Sequence, residues 1–561
     1  MLQYLDTFTI NICFNLHCNN NKKHNLLSLF FAGKIISIFF VVMEKAVQLV
    51  VRITVVFVVA LFVKCAWRVW DSVWVRPRQV EKCLRKQGLR GNSYRFLYGD
   101  VKDNLEMSKK AMSTPMNLSG DVATRAIPFI HQTINKYGEN SFIWFGPTPR
   151  LLITDPVLVK QVLNQTFRFK KLRQNPIVRM FANGLASIDG DQWTQHRKLL
   201  SPAFLSSKLK LMLPVMYISC IELVREWQKM IEMKGRCEID VAPYLNTLTS
   251  DVISRTAFGS SYEEGSVVFK LQRQQIELVN KSLQSVYIPG WRFLPTKNNR
   301  RMKELSNKIQ SSLTNIIEKK TKTMKAGQSR ADDLLGILLE SNEQCKNGSA
   351  YVPMSLDDVI GECKLFYFAG QETTSNVLVW TLILLSIHQN WQTRAREEVL
   401  QVIGNQGQPD SDHLSRLKVI SMIINEVLRL YPPAHTLTRK VHETTTLGDI
   451  TLSSGVEVSL PVLLIHHDTK AWGADAKEFN PERFANGVFK ATNNNQAAYC
   501  PFGMGPRTCI GQNFATLEAK LALATILQHF SFELSPTYTH APATLITLQP
   551  QHGAKLIVTR V

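Results

Sequence analysis

Phe502-Gly503-Met504-Gly505-Pro506-Arg507-Thr508-Cys509-Ile510-Gly511 is the stretch on which the reading of this chain turns. A cysteine is framed by glycines, an arginine stands two residues before it, and a helical pattern from Gln512 to Leu527 starts directly afterwards. A thiolate near a helix N-terminus is stabilised by the macrodipole and by unpaired backbone N–H groups. Glycines let the backbone come close to a flat ligand. Arg507 can pair with a carboxylate. Cys500, a little upstream, lacks this frame and reads as a structural cysteine.

Working outward, the apolar run from about Leu356 to Ser386 reads as one long helix, with Ser355 and Asp358 placed as a capping box at its start. Ala369-Gly370-Gln371-Glu372-Thr373-Thr374 lies in its middle. A mid-helix threonine can bond back to a carbonyl one turn earlier, and Gly370 weakens the helix beside it, so a local groove is expected. Glu426 and Arg429 are spaced to share one helix face. Their flanks, Ile423, Ile424, Val427, Leu428 and Leu430, are apolar, so the pair is expected to be buried and to need further partners. Trp193 and Arg197 are spaced to lie on one face of a second helix. Strands are expected at Phe142–Phe145 and Leu151–Thr154, and near the C-terminus at Leu545–Leu548 and Lys555–Thr559 around Gln551-His552-Gly553. No repeats and no long spacer interrupt residues 93–561, so one large, mainly α domain with small β-sheets is expected.

The Cys509 segment matches every fixed position of F-x-x-G-x-R-x-C-x-G, and through it the chain resembles the cytochromes P450. That resemblance implies haem b, with Cys509 as the iron's axial ligand and Phe502, Arg507 and Gly511 in the cofactor site; a cysteine thiolate ligand favours O–O cleavage. It implies that Glu372 and Thr373 are the acid–alcohol pair that manages protons for O2. It implies that Glu426, Arg429 and Arg483, the last in Phe479-Asn480-Pro481-Glu482-Arg483-Phe484, form a structural triad. Trp193, Arg197 and Arg439 match positions that face the haem propionates. The likeness extends over nearly the whole chain after Met43. It is nearest to the plant microsomal branch that includes secologanin synthase and triterpenoid and diterpenoid oxidases. Tyr287-Ile288-Pro289-Gly290-Trp291-Arg292-Phe293-Leu294-Pro295-Thr296 and Phe366–Thr374 carry that part of it. Two departures stand out. Pro77 is the only proline between the anchor and Pro115, where the family has a proline-rich hinge. His435 stands where relatives are apolar, and reads equally as a pocket residue that shifts substrate preference or as a solvent-facing one.

Composition fits a large globular chain with a membrane segment. Of 561 residues, 45% are hydrophobic and 20% charged, which excludes a mainly disordered or low-complexity protein. Lys+Arg 66 against Asp+Glu 45 gives a net charge of +21, which asks for an acidic partner surface. A nucleic-acid partner has no recognition motif to support it. The ten cysteines are scattered without C-x-x-C pairs, which argues against structural zinc and a disulfide framework. Ala46 to Val63 is about long enough for a bilayer core. Lys64, Arg68, Arg76, Arg78, Lys82, Arg85 and Lys86 follow it, and Trp67, Trp70 and Trp74 suit an interfacial belt. We therefore read residues 43–65 as a single transmembrane anchor, 66–92 as a basic linker and 93–561 as the haem domain. A cleaved signal peptide is the alternative; no small-residue cleavage site follows and the charge lies on the wrong side. Leu26 to Val42 is a second apolar stretch, interrupted by Lys34. Translation from Met43 is preferred, leaving residues 1–42 outside the native protein; otherwise two spans could form a hairpin.

The function expected is that of a haem-thiolate monooxygenase. It would insert one oxygen atom from O2 into a hydrophobic small molecule, a terpenoid by the branch it resembles. The catalytic domain would sit on the cytoplasmic side of the endoplasmic reticulum membrane. The chain has no dinucleotide-binding G-x-G-x-x-G at a strand–helix junction, so NADPH would act indirectly, through a separate NADPH-cytochrome P450 reductase. Lys198, Lys208 and Lys210 could meet an acidic face of that partner. Two rivals stay open. One is a reductase-independent haem-thiolate isomerase or dehydratase, and the other is a non-catalytic membrane haem-binding protein.

Overall fold

A computed structural model describes residues 23–172, 176–181, 183–232, 235–259, 262–284, 291–327, 333–346, 352–405 and 407–561. Tyr287–Gly290, part of one stretch that carries the resemblance, lie outside the described residues. The chain forms two compact units, Met1–Val75 and Arg76–Val561.

In the first unit, helix Lys23–Trp70 runs unbroken through Met43 and ends in a π-helical turn, Asp71–Val75. The two apolar stretches that the sequence separates are thus one rod, with no turn for a hairpin at Met43. At about 1.5 Å per residue it is roughly 70 Å long, more than twice a bilayer core. Its side chains from Phe30 onward are exposed, and it is long and apolar enough to cross a membrane.

The second unit is mainly helical, with small sheets. Its axis is helix Leu356–Ile387, opened by the capping box that Ser355 and Asp358 form in both directions. Apolar residues occupy nearly all of its faces, so it must be buried all round. Helices Val241–Phe258, Lys418–Leu430 and Gln512–His529 pack around it. The helix is not broken at Gly370. A Cβ there would lie 2.6 Å from Ile253 Cδ1, so the glycine lets helix Val241–Phe258 approach closely and opens no groove by unwinding.

Five strands make the largest sheet, in the order Phe142–Phe145, Thr148–Leu152, Glu457–Leu460, Leu437–Val441, Phe169–Lys171. All neighbours are antiparallel except Thr148–Leu152 with Glu457–Leu460. The second strand begins three residues before the expected Leu151, because Thr148 and Pro149 already pair with Phe145 and Trp144. The C-terminal pairing also differs from expectation. Lys555–Arg560 lies between Arg236–Asp240 and Phe530–Leu534. Leu545–Leu548 is not a strand; residues 545–547 are the tip of a hairpin formed by Pro542–Thr544 and Leu548–Pro550. Alternating apolar residues look alike in a strand and in a tip that packs on the core.

The stretch read as a linker contains helix Arg76–Lys86, which buries Pro77, Glu81 and Leu84. Glu81 accepts from Arg85 at 2.9 Å and from the Tyr94 N–H at 3.2 Å. The eight cysteines among the described residues are unpaired.

Candidate active site

A cavity of ≈ 360 Å³ brings together segments far apart in the chain. Thr373 and Gly370 line it from the long helix, Trp193 and Arg197 from helix Gly190–Leu200, and Arg439 from the five-stranded sheet. Phe502, Arg507, Cys509 and Gly511 close it from the opposite side.

The Cys509 loop is held by its own backbone. Cys509 N–H donates to the Phe502 carbonyl at 2.8 Å, and Gly503 N–H to the Cys500 carbonyl at 3.0 Å. Gly505 has φ +71°, and a Cβ there would lie 2.4 Å from Asn164 Oδ1 and 2.9 Å from the Leu163 carbonyl. Only glycine fits both the left-handed conformation and that approach. Helix Gln512–His529 starts immediately after, with Gly511 as its N-cap. The Cys509 side chain is accessible from the cavity while the protein encloses it on the other sides. Burial pushes its thiol pKa up; the Gly511 N–H and the charge of Arg197 pull it down. Cys500 is buried without such help, and burial pushes its thiol up to about 12.

Thr373 Oγ1 donates to the Ala369 carbonyl at 2.7 Å, the one-turn back-bond expected from the sequence. Helix Val241–Phe258 adds a bond the sequence does not announce, from Thr249 Oγ1 to the Gln371 carbonyl at 3.0 Å. Glu372 is half-buried, and loss of solvent around its carboxyl raises its pKa; the Thr547 hydroxyl, Arg273 and the Asn376 side chain work against that rise. Its carboxyl accepts from Thr547 Oγ1 at 3.0 Å.

Around the rest of the cavity lies an excess of positive charge. Arg197 donates to the Thr508 carbonyl at 2.9 Å. Arg507 donates to the Ile188 carbonyl at 3.1 Å and to the Asp189 carboxylate, and its guanidinium lies 4.4 Å from the centroid of the Trp193 ring. Lys171 and Arg439 are direct cross-strand partners, an arrangement of like charges that destabilises a sheet unless anions offset it. Burial, with Arg439 and Arg507 nearby, lowers Lys171 to about 7. Arg439 falls to about 10 for the same kind of reason. Among the described residues at this spot Asp189 is the carboxylate that answers them; it accepts from Lys171 N–H at 2.9 Å and caps helix Gly190–Leu200. Arg439 Nε and Arg507 Nε are buried without partners. Four cations against one carboxylate, with two guanidinium nitrogens unanswered, fit a ligand that brings two carboxylates. Haem does so, and Cys509 supplies the ligand type for its iron. Sequence reasoning missed Lys171 and Asp189; only the register of Phe169–Lys171 on Leu437–Val441 brings Lys171 here.

Behind the cavity, Glu426 and Arg429 are both 0% exposed and bonded at 2.7 and 2.8 Å. Arg483 Nε lies 3.6 Å from Glu426 Oε1, and its guanidinium bonds the Trp472 carbonyl at 2.8 Å. His466 ties this group to the Cys509 loop, another link absent from the sequence pattern. Burial lowers its pKa to about 3, so the ring is neutral. Nδ1–H donates to the Arg429 carbonyl (3.2 Å), and Nε2 accepts from Cys500 N–H (3.0 Å). His435 is neutral as well, lowered to about 4 by burial, and it does not line the cavity, although Ala434 does.

A cysteine thiol presented at a helix start, with a half-buried threonine lining the same cavity and cations around it, is the arrangement a haem-thiolate protein requires. The cytochrome P450 family model matches residues 123–558, and the chain belongs to that family, whose members are haem-dependent monooxygenases using O2. It is 62% identical to cytochrome P450 72A397 of Kalopanax septemlobus over 88% of this chain and 95% of the relative. Two proteins of Catharanthus roseus are 49% identical: 7-deoxyloganic acid hydroxylase, over 91% of this chain and 99% of its own, and secologanin synthase 1, over 90% and 96%.

Proposed function

We propose that this monooxygenase hydroxylates a terpenoid at the endoplasmic reticulum membrane, with electrons passed singly from NADPH by a separate reductase. The observation that carries the reading is Cys509 and Thr373 lining one cavity, with the half-buried carboxyl of Glu372 next to Thr373 in the chain. The terpenoid class rests on the relatives named 7-deoxyloganic acid hydroxylase and secologanin synthase 1. Residues 43–65 serve as a single-pass anchor, and the basic residues after it keep the haem domain cytoplasmic. Lys198 and Lys210 are exposed and Lys208 half-buried; they supply the positive face for an acidic reductase.

When bound, haem supplies the O2 activation that no side chain can perform. The chain's own residues prepare the site. Cys509 would hold the iron as its thiolate, the form that burial opposes and a bound metal would favour. Gly511 N–H and Arg197 hold that negative charge. Arg197, Arg439, Arg507 and Lys171 would hold the propionates, and Trp193 orients Arg507. Loss of solvent around Glu372 favours its protonated form, the form that can give a proton; Thr373 would pass it on through a hydroxyl whose alternative partner is the Ala369 carbonyl. The apolar wall of Leu185, Ile253, Leu365, Phe366 and Val377 excludes water and suits an apolar substrate.

The test is turnover of a terpenoid panel that includes 7-deoxyloganic acid, in microsomes containing a plant reductase. A product heavier by one oxygen atom, formed only with NADPH, is expected. Conversion without NADPH or reductase would favour the isomerase reading.

Lys171 gives a prediction of its own. In the ligand-free pocket it loses its proton above about pH 7, and arriving carboxylates raise its pKa again. Haem binding therefore takes up a proton, and affinity falls as pH rises above 7. Lys171→Met is expected to speed haem loss to apomyoglobin several-fold at pH 7 and to flatten its dependence between pH 7 and 9.

A further inference from the structure

The acid beside Thr373 is held by a residue from the far end of the chain. Thr547 Oγ1 donates to Glu372 Oε1 at 3.0 Å, and Asn376 Nδ2, one helical turn beyond Glu372, donates to Thr547 Oγ1 at 3.0 Å. A hydroxyl has a single proton. With its oxygen occupied by Asn376, that proton is directed to Glu372.

Thr547 is 5% exposed and sits in the tip of the hairpin formed by Pro542–Thr544 and Leu548–Pro550. Its neighbours fix the tip from two sides. Leu548 N–H donates to the Pro433 carbonyl at 3.2 Å, and Trp380 Nε1, from the long helix, donates to the Leu548 carbonyl at 3.3 Å. On the other side, Ile546 packs against an apolar layer made by Val178, Phe181, Val279 and Met302. Phe368 joins that layer from the long helix, edge-on to Phe181 with ring centroids 4.8 Å apart. Phe368 stands between Phe366 and Ala369, both of which line the cavity. The residue that holds the acid is therefore covalently joined to one embedded in the layer beside the cavity.

We infer that Thr547 is a positioning residue for proton delivery, fixing the Glu372 carboxyl in one orientation, and that Ile546 makes this orientation depend on the packing of the apolar layer. The inference rests on Glu372 and Thr373 being the proton-delivering pair. Its consequence is visible without any substrate. The reductase passes electrons from NADPH to the haem protein, and O2 is reduced in one of two ways. Two electrons and two protons give hydrogen peroxide; four electrons and four protons give two waters. Correctly placed protons favour the second. Misplacing the acid raises peroxide formed per NADPH consumed, at unchanged haem content, which a purely structural loss does not do.

The experiment compares holoenzyme variants with reductase, NADPH and O2 alone. Thr547→Val is expected to keep a normal CO difference band and to raise peroxide per NADPH about twofold or more. Thr547→Ser, which keeps the hydroxyl, should return to the wild-type ratio, and Ile546→Ala should move it part of the way. Infrared spectra supply a readout independent of turnover. The carboxyl C=O band of Glu372, identified by its loss in Glu372→Gln, should shift to higher frequency in Thr547→Val as the hydrogen bond from Thr547 is lost. A Thr547→Val enzyme with the wild-type ratio and an unmoved band overturns the inference, and an unaltered ratio in Ile546→Ala overturns the link to the apolar layer. If Glu372→Gln itself leaves the ratio unchanged, the acid reading fails instead, a result separable from failure at Thr547 alone.

Discussion

Cys509→Ala is expected to abolish the strongly red-shifted Soret band of the CO-bound, dithionite-reduced protein and to reduce monooxygenation to background. The effect is large because no neighbouring group can stand in. Among the described residues that line the cavity beside Cys509 are Phe502, Arg507, Thr508, Ile510, Phe514 and Thr516, and none is a soft anionic ligand. The wild-type site balances two opposed influences on the thiol: burial disfavours the charged form, while the Gly511 N–H and Arg197 favour it. Bound iron would favour the thiolate form, the ligand type whose electron donation supports O–O cleavage. Cys500→Ala is the matched control. That thiol is buried away from the cavity, with nothing to lower its pKa, so the band should persist. A red-shifted band surviving in Cys509→Ala, or lost in Cys500→Ala, would assign the ligand to the wrong cysteine. Haem bound to the wild type without the shift would mean that Cys509 does not bind as thiolate, and the monooxygenase reading would fall with it.

Why the sequence announces Cys509 so clearly and Lys171 not at all follows from distance along the chain. The Cys509 loop is local: its glycines, its arginine and the helix start lie within ten residues, and each has a backbone reason to be there. Glu372 and Thr373 are local in the same sense, since a back-bond over one helical turn needs no outside partner. The capping box at Ser355 and the burial of Glu426 with Arg429 follow from i,i+3 spacing and flanking apolar residues. Lys171, Asp189, Thr249, His466 and Thr547 act only through tertiary approach. Lys171 reaches the site through its register on Leu437–Val441, and Thr547 because Leu545–Leu548 turns where an apolar pattern alone predicts a strand. Gly370 shows a third case. The residue was legible as special, but its reason was not: helical weakening and close packing call for the same glycine, and only the Ile253 side chain tells them apart. The N-terminal helix extends beyond the stretch read as the anchor. Lys34 interrupts the hydropathy of Leu26 to Val42, yet one lysine costs a helix almost nothing in propensity, so the helix runs straight through.

The second large effect belongs to Arg429, which touches neither cavity nor cofactor. Arg429→Leu is expected to destabilise the haem domain by about 3–5 kcal/mol, because it leaves the fully buried Glu426 carboxylate without its bidentate partner. The loss is wider than one ion pair. Arg429 also donates to the carbonyls of His466 (2.9 Å), Ala476 and Glu478 (3.1 Å), and its guanidinium lies 5.0 Å from the centroid of the Trp472 ring. Arg483, at 3.6 Å from Glu426 and also bonded to Asp475 at 2.5 Å, is too committed to replace it. The double variant Glu426→Leu/Arg429→Leu removes the stranded charge and should recover part of the loss, but not all, because the carbonyls of His466, Ala476 and Glu478, the first two in buried bonds, still lack their donor. Urea unfolding followed by loss of the Soret band measures both variants. The mode of failure should be specific. His466 receives its bond from Cys500 N–H while donating to the Arg429 backbone, so loosening this group loosens the segment that leads into Phe502 and Cys509. Single-site loss should thus convert thiolate-ligated haem, on mild warming, to a form without the red-shifted band before the helices unfold. A double variant no more stable than Arg429→Leu would show that the carbonyl bonds, not the ion pair, are what Arg429 is there to make.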